Sequence, residues 1–532
     1  MVGVLMRVSM VELESTDKVN LPMQLSPTCR PRHPVNSTLW NGAYFIPRPD
    51  KFHWMELADC HRAFGADNGF QRRTLATTIL RPIQAGDMMH AARSNPIDVS
   101  AVAQPQAEAV YRKVTWRLLP FLFVCYVFAY LDRANIGFAH LQFSRDIGLS
   151  DAAFGLGVGL FYVGYMLFEV PSNLWLARVG VRKTLMRIMA LWGIVSAGTA
   201  FVQTPTQFYI ARVLLGAAEA GFFPGVILYF TYWFPAARRA RVTSIFMTAI
   251  CVSGIISGPV SGWILNSMSG LLGYNGWQWL FLLEGFPSVI AGIFAYVYLT
   301  DRPEQATWLT DDEKALLLAE LNRDAQTKAA RAHGSIWVAL KEPKFYFLTF
   351  AYFSVPWASI VVHIWAPSVI QKSGVSNYWH IGLLSAIPYV VGAVAMYLLG
   401  RNSDRMLERR WHFMASALMA ALGVALLPAA ANHAGILVAL LCVATAGYLG
   451  MLSLFWTIPP AYLSSTAAAS GIGLISSLGQ FGGISAPSVI GYASTHFGSS
   501  AVGLYAVAFV SILGGLTVVL GIPARAISER RE

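Results

Sequence analysis

From Trp116 onward, stretches of about twenty mostly apolar residues follow one another at short intervals, and this constrains the fold more than any other feature. A hydrocarbon layer about 30 Å thick takes about 20 helical residues to cross. No water is available there to bond N–H and C=O groups, so each run has to be a helix that satisfies its own backbone. Twelve runs are read, near 116–139, 152–176, 184–203, 207–229, 242–266, 277–300, 344–370, 378–400, 412–430, 435–457, 468–494 and 501–522. The chain is 55% hydrophobic and 13% charged, about half the charge of a soluble domain. The expected class is an all-α polytopic membrane protein, with twelve transmembrane helices in two six-helix halves.

The segments between the runs divide the chain. Residues 1–109 are polar, proline-bearing and aperiodic, as in Arg30-Pro31-Arg32-His33-Pro34. They are read as a disordered extension or as a mis-called start, and the second reading, with translation beginning at Met88 or Met89, is favoured. An N-terminal bundle is expected over 110–300, a linker over 301–343, a C-terminal bundle over 344–524 and a short tail over 525–532. Within the linker, Leu309 to Arg323 reads as an amphipathic surface helix opened by Thr310-Asp311-Asp312-Glu313.

Charge sets the orientation. The net charge is +11, but the basic residues form no single patch suited to nucleic acid. Arg178, Arg182, Lys183 and Arg187 follow span two; Arg238, Arg239 and Arg241 follow span four; Arg401, Arg405, Arg409 and Arg410 follow span eight. The loops after spans three, five, nine and eleven carry no Lys or Arg. Basic loops stay on the cytoplasmic side, so both termini and the linker are expected there, in a cell inner membrane. The five cysteines have no metal or disulfide spacing, and no metal or organic cofactor is expected.

Charges inside the runs carry the functional signal. Asp132 and Arg133 sit between the apolar stretches Leu118–Tyr130 and Ile136–Phe138, where a charge costs about 2.5–3.5 kcal/mol even on lenient scales. At about 1.5 Å of rise per residue, Asp132 lies roughly 24 Å into span one. On the same rise, Arg212 lies roughly 8 Å into span four, which enters from the opposite side. The two fall at one level, and an Asp132–Arg212 pairing is expected. Glu219, two turns beyond Arg212, shares its face and lies nearer the midplane. Asp132 and Arg133 are about 100° apart, so one is expected to face span four and the proton, the other the cavity and an anion.

These residue types suit coupled transport. Arginine stays protonated and grips a carboxylate through parallel hydrogen bonds. A substrate anion and a side-chain acid competing for one arginine couple substrate to proton. Asp132 and Glu219 are the proton-coupling candidates. Arg133, Tyr165, Arg212, Trp456 and Gln480 are the substrate-binding candidates, with Arg212 also tuning Asp132. Trp365 and Tyr389 are further cavity-wall candidates. Glu169, Arg178, Arg182, Asp404 and Arg405 are read as gating or structural, Glu284 as structural, and His363 as a helix contact. The alternative for the four charges is a static ion-pair set holding spans one and four together.

Asn173-x-x-x-Ala177-Arg178-x-Gly180-x-Arg182-Lys183 after span two and Gly400-x-x-x-Asp404-Arg405 after span eight echo each other. Both resemble the loop signature of the major facilitator superfamily, although Asn173 and Ala177 replace its Gly and Asp. Three strings, Tyr130–Gly137, Gly164–Asn173 and Leu215–Gly225, are similar to those of its anion:cation symporter branch. That resemblance spans about Lys113 to the C-terminus. It implies the major facilitator fold, alternating access, and a small organic anion such as tartrate, a sugar acid or 4-hydroxyphenylacetate as substrate, with protons as the coupling ion. It implies the same roles at Asp132, Arg133, Arg212 and Glu219. Related sequences often carry Asn at the positions of Ser476 and Gln480. A monomeric importer is expected; an efflux antiporter or a non-transporting anion sensor is the alternative. The His-Glu-x-x-His signature of a metalloenzyme does not occur.

Overall fold

The computed structural model describes residues 99–329, 340–459 and 465–522. The expectations for Met88, the first hundred residues and the C-terminal tail lie outside them, except that the first helix already begins at Val99. Every regular element among the described residues is helical. Ten helices are long and apolar enough to cross a membrane: Gln106–Asp146, Asp151–Val179, Val181–Phe201, Pro205–Trp233, Ala236–Ser267 and Gly276–Tyr298 in the first half, then Pro343–Lys372, Tyr378–Met406, Ala434–Phe455 and Ala501–Gly521. The expected span nine is the shorter apolar helix Arg410–Leu426. Span eleven is divided into Ser465–Gly479 and Phe481–Phe497. All twelve expected spans are thus occupied by helices.

Four spans are interrupted, each at a polar side chain; in span five the helices Ala236–Met247 and Ala249–Ser267 meet at Thr248. Span four stops at Glu219 and resumes at Phe222. Pro224 has no N–H for the Ala220 carbonyl, which removes one helical bond. Gly221 makes the turn at φ +89°, where a side chain is strained, and a Cβ there would also lie 2.5 Å from Ser172 Oγ. Span seven carries a π-helical turn, Val361–Trp365, around His363. Pro367, four residues after His363, again withholds an N–H. Span eleven breaks at Gln480. Interrupted helices are tolerated inside a bilayer only where protein or a cavity takes up the freed backbone groups, and π-turns recur at functional positions.

The halves meet most closely at the end opposite the linker, called here the far end. A Cβ on Gly155 of span two would lie 2.2 Å from the Pro487 carbonyl oxygen of span eleven. Around it, Asp151 accepts a hydrogen bond from Ser494 Oγ at 2.5 Å and faces Lys372 Nζ at 3.8 Å. His140 Nε2 lies 3.3 Å from its other oxygen. The Ala152 N–H donates to Thr495 Oγ1 at 2.9 Å. Trp365, expected as a cavity wall, is instead buried in this seal, against His140 and Phe154.

The linker end is held differently. The surface helix runs over Asp311–Ala329. Its capping box is present: Thr310 N–H donates to Glu313 Oε2 at 2.9 Å, and Glu313 N–H to Thr310 Oγ1 at 3.3 Å. Leu317 is its buried anchor. Lys113 Nζ of span one reaches Glu313 Oε2 at 2.7 Å, and this bonded ammonium holds the Glu313 carboxyl below the usual carboxylate range. Asp301, at the linker's start, accepts from the Arg182 N–H at 2.9 Å and covers Gly180. Arg182 Nε donates to the Tyr296 carbonyl at 2.9 Å, while Arg178 is exposed. Asp404 pairs with Arg409 of its own turn. Arg405 lines an open hollow with Leu398, Leu399, Arg401 and Asn402. Among the described residues, none of these gating candidates makes a polar bond across to the other half.

Candidate functional site

The four charges converge in the first half, in a pairing other than the expected one. Arg133, not Asp132, turns to span four: its Nε donates to Glu219 Oε1 at 2.7 Å, with Nη2 2.5 Å from the same oxygen. Glu219 is 2% exposed, and the break that ends its helix puts it opposite Arg133. The guanidinium lies 5.3, 5.5 and 5.4 Å from the ring centres of Tyr130, Phe161 and Tyr165. Those rings favour the cation through their π-faces. Tyr165, a substrate-binding candidate from the sequence, therefore stands beside Arg133.

Asp132 turns to span three. Trp192 Nε1 donates to Oδ2 at 2.6 Å, Ser196 Oγ to Oδ1 at 2.7 Å and Asn135 Nδ2 to Oδ1 at 3.3 Å. The expected ion pair with Arg212 is not formed. Arg212 is buried on span four, 5.8 Å from the Phe208 ring centre. Its Nε and Nη2 have no hydrogen-bond partner, though it feels the charge of both Asp132 and Glu219. The reason is rotational: the 100° between Asp132 and Arg133 sends Arg133 to span four and Asp132 to the neighbouring helix. Depth counting fixes level but not azimuth.

The residues around Asp132 had a readable signal. Trp192 and Ser196 are four apart and share a helix face, and Asn135 lies three beyond Asp132. None of the three was singled out in the sequence. Glu169 carries no carboxylate bond among the described residues; its carbonyl accepts from Asn173 Nδ2 at 2.8 Å. Trp456 follows span ten at its linker end, with its ring 4.7 Å from Tyr352. Gln480 occupies the break in span eleven, next to Gly479, which packs on Tyr352.

His363 is the second half's most exacting polar group. Its ring lies 6.1 Å from Tyr130, 5.4 Å from Tyr389 and 5.4 Å from Tyr448, so it bridges the halves. Nδ1 is 3.0 Å from the Ser359 carbonyl. A carbonyl only accepts, so Nδ1 carries the hydrogen and Nε2 is left as an acceptor. That Nε2 is buried without a partner. A role as a simple helix contact accounts for Nδ1 and leaves Nε2 unexplained.

Buried acids and bases in a two-half helical bundle, next to interrupted helices, define a membrane carrier rather than an enzyme. The sequence profile of the Major Facilitator Superfamily matches residues 122–487, and the chain belongs to that superfamily of transporters. It is 44% identical over 411 residues to a protein of Agrobacterium vitis named as a tartrate transporter, covering 77% of this chain and 94% of that one. It is 37% identical over 407 residues to a quinolone resistance transporter of Acinetobacter baumannii, covering 76% and 93%. Among solved structures it is similar to the xylose transporter XylE of E. coli in a partially occluded inward-open conformation. There the TM-score is 0.62 and the identity 16%, over 77% of this chain and 98% of that one.

Proposed function

We propose that the chain is a proton-coupled importer of a small organic anion, working by alternating access from a cell inner membrane with both termini cytoplasmic. The observation that carries this is the ion pair between the partly buried Arg133 and the buried Glu219 at the break in span four. With both acids ionised, Asp132, Arg133, Arg212 and Glu219 sum to zero. A substrate carboxylate that takes Arg133 displaces Glu219, and a displaced, desolvated carboxylate is costly until it takes up a proton. Binding of anion and proton are then one event. Arg212, with two unpartnered N–H groups, supplies a second grip on the anion. A negative cell interior opposes each imported negative charge by about 2.3 kcal/mol per 100 mV, so accompanying protons are required.

The relative named as a tartrate transporter supports a hydroxylated carboxylate as substrate. Placing the linker on the cytoplasmic side makes the sealed far end the outer gate. The resistance-named relative favours efflux as the second reading. Proteoliposomes with an alkaline interior and radiolabelled tartrate test both. Accumulation that collapses with a protonophore supports symport; extrusion driven by the same gradient overturns it. Glu219→Gln is expected to abolish gradient-driven accumulation while leaving tartrate–tartrate exchange intact. Loss of both, with a well-folded protein, supports a static ion pair instead.

A further inference from the structure

Span three meets Asp132 with two donors one helical turn apart. Trp192 and Ser196 lie four residues apart on one face of that helix, and each is 1% exposed. Trp192 Nε1 donates to Asp132 Oδ2 at 2.6 Å and Ser196 Oγ to Oδ1 at 2.7 Å. Asn135 Nδ2, from span one itself, adds a third donor to Oδ1 at 3.3 Å. Span three is fixed at this turn. A Cβ on Gly193, next to Trp192, would lie 2.7 Å from the Gly285 carbonyl oxygen of span six. The Trp192 ring also meets the Phe222 ring edge-on, with 5.4 Å between centres. Phe222 opens the second segment of span four, just past the break at Glu219. Trp192 therefore touches both Asp132 and the break that sets Glu219 opposite Arg133.

Donors on both oxygens describe an ionised carboxylate. An indole N–H only donates, so a hydrogen on Oδ2 would point at another hydrogen. A proton taken by Asp132 has to enter on Oδ1. There the Ser196 hydroxyl can turn and accept, while Asn135 Nδ2 cannot. The charges that act on Asp132 are Arg212 and Glu219 of span four and Glu284 of span six. Arg133, its neighbour in the chain, is paired with Glu219. In span five, Ala249–Ser267 carries no Asp, Glu, Lys, Arg or His. The bases of span three, Arg182, Lys183 and Arg187, all lie in its first two turns. Neutral donors thus hold the charge on Asp132.

We propose that Trp192 and Ser196 are positioning residues for the proton site: they hold the Asp132 carboxylate ionised and turned away from Arg212, and so set how readily it takes up a proton. This deepens the proton-coupling reading, and its consequence for transport rests on that reading. Trp192→Phe keeps a ring against Phe222 and removes the N–H. Ser196→Ala removes only the hydroxyl. Hydrogen bonds to the charged form of an acid favour that form. Without either donor, Asp132 keeps its proton to higher pH.

The test follows Asp132 itself and then transport. Purified protein in liposomes, with 13C at the aspartate side-chain carboxyl, is taken through a pH series in the infrared. The protonated-carboxyl band that disappears in Asp132→Asn belongs to Asp132. Its midpoint pH is expected to rise by about one unit in Trp192→Phe and in Ser196→Ala, a tenfold change in proton concentration. The midpoint of the pH profile for tartrate uptake should rise with it. A merely structural role lowers the uptake rate and leaves both midpoints in place. An Asp132 midpoint that stays put in either folded variant overturns the proposal for that residue. A wild-type protein without an Asp132-dependent band at any pH overturns it entirely. If Trp192→Phe fails to fold, Ser196→Ala decides. If the infrared midpoint rises while uptake ignores the proton gradient, the positioning role stands and the coupling reading fails. If the infrared midpoint is unmoved while gradient-driven uptake persists, the reverse holds.

Discussion

The two halves place their polar groups in opposite ways. Among the described residues, every buried Asp, Glu or Arg lies in the first half: Asp132, Arg212, Glu219 and Glu284. The second half buries only serines and a threonine, such as Ser354, Ser385 and Thr445. Most of their hydroxyls bond back to their own helices, as Ser385 does to the Ile381 carbonyl at 2.8 Å and Thr445 to the Leu441 carbonyl at 2.7 Å, while Ser368 Oγ has no partner. Apart from Lys372, Ser494 and Thr495 at the far end, what the second half brings beside Tyr130 is rings: His363, with Tyr389 and Tyr448 packed on it. Ions in a low-dielectric interior interact strongly and need fixed partners. Rings need only contact. On the proposed function, charge handling would fall to one half and shape recognition to the other, and each can be broken separately.

The largest effect is expected at Arg133. Arg133→Ala leaves Glu219 buried without its cation, a loss of about 3–5 kcal/mol. Tartrate uptake should fall below detection while detergent-solubilised protein still elutes as a single peak. Arg133→Lys should recover little, because a point charge does not replace the planar fork. Near-normal uptake in Arg133→Lys would reduce the pair to a structural tie.

Next comes the aromatic half. The unpartnered Nε2 of His363 suits a substrate hydroxyl as donor. His363→Phe is expected to weaken tartrate uptake about tenfold, the worth of one such hydrogen bond of about 1.4 kcal/mol. Competition by succinate, which lacks the hydroxyls, should be unchanged. An equal loss for both anions would make His363 a packing residue and erase the division between the halves.

Smaller effects belong to the two ends. Asp151→Asn removes the charge shared by His140 and Lys372. A cysteine placed at Ser368, which lines the same far-end hollow, should then react severalfold faster with an impermeant thiol reagent. Smallest is Lys113→Ala. The Lys113–Glu313 pair is partly exposed and worth about 0.2–1 kcal/mol, so only faster amide exchange over Asp311–Ala329 is expected. The Glu313 carboxyl lies below its ordinary range in the folded protein. Its contribution is present above the unfolded value and is lost as pH falls through the folded one. Wild-type protection factors in this helix, corrected for the intrinsic pH dependence of exchange, should therefore fall on acidification, and the Lys113→Ala difference should vanish.

Much of this was legible beforehand. The spacing of apolar runs located all twelve spans, because the cost of exposing backbone to hydrocarbon leaves one local solution, but span one, read as 116–139, extends over Gln106–Asp146. Thr310 and Glu313 announced their helix start because a capping box is closed within four residues. Asp132, Arg133, Arg212 and Glu219 stood out because charge in an apolar run is rare, and the structure does bring them to one region of the first half. Partnership was not legible. Asp132 was matched to Arg212 by depth, and Trp365 to the cavity by composition. Glu284 was read as structural, and what the structure adds is its partner from span five, Ser261, whose Oγ donates to Glu284 Oε1.

The sequence by itself determined helix number, length and the presence of buried charge, since each depends on residues adjacent in the chain and on the membrane's thickness. Tertiary structure alone decided the pairings. A side chain's azimuth depends on how neighbouring helices rotate and cross, set by close approaches such as Gly155 on Pro487. The break after Glu219 was prepared by Gly221 and Pro224, but its meaning came only when Arg133 of another helix was found opposite it.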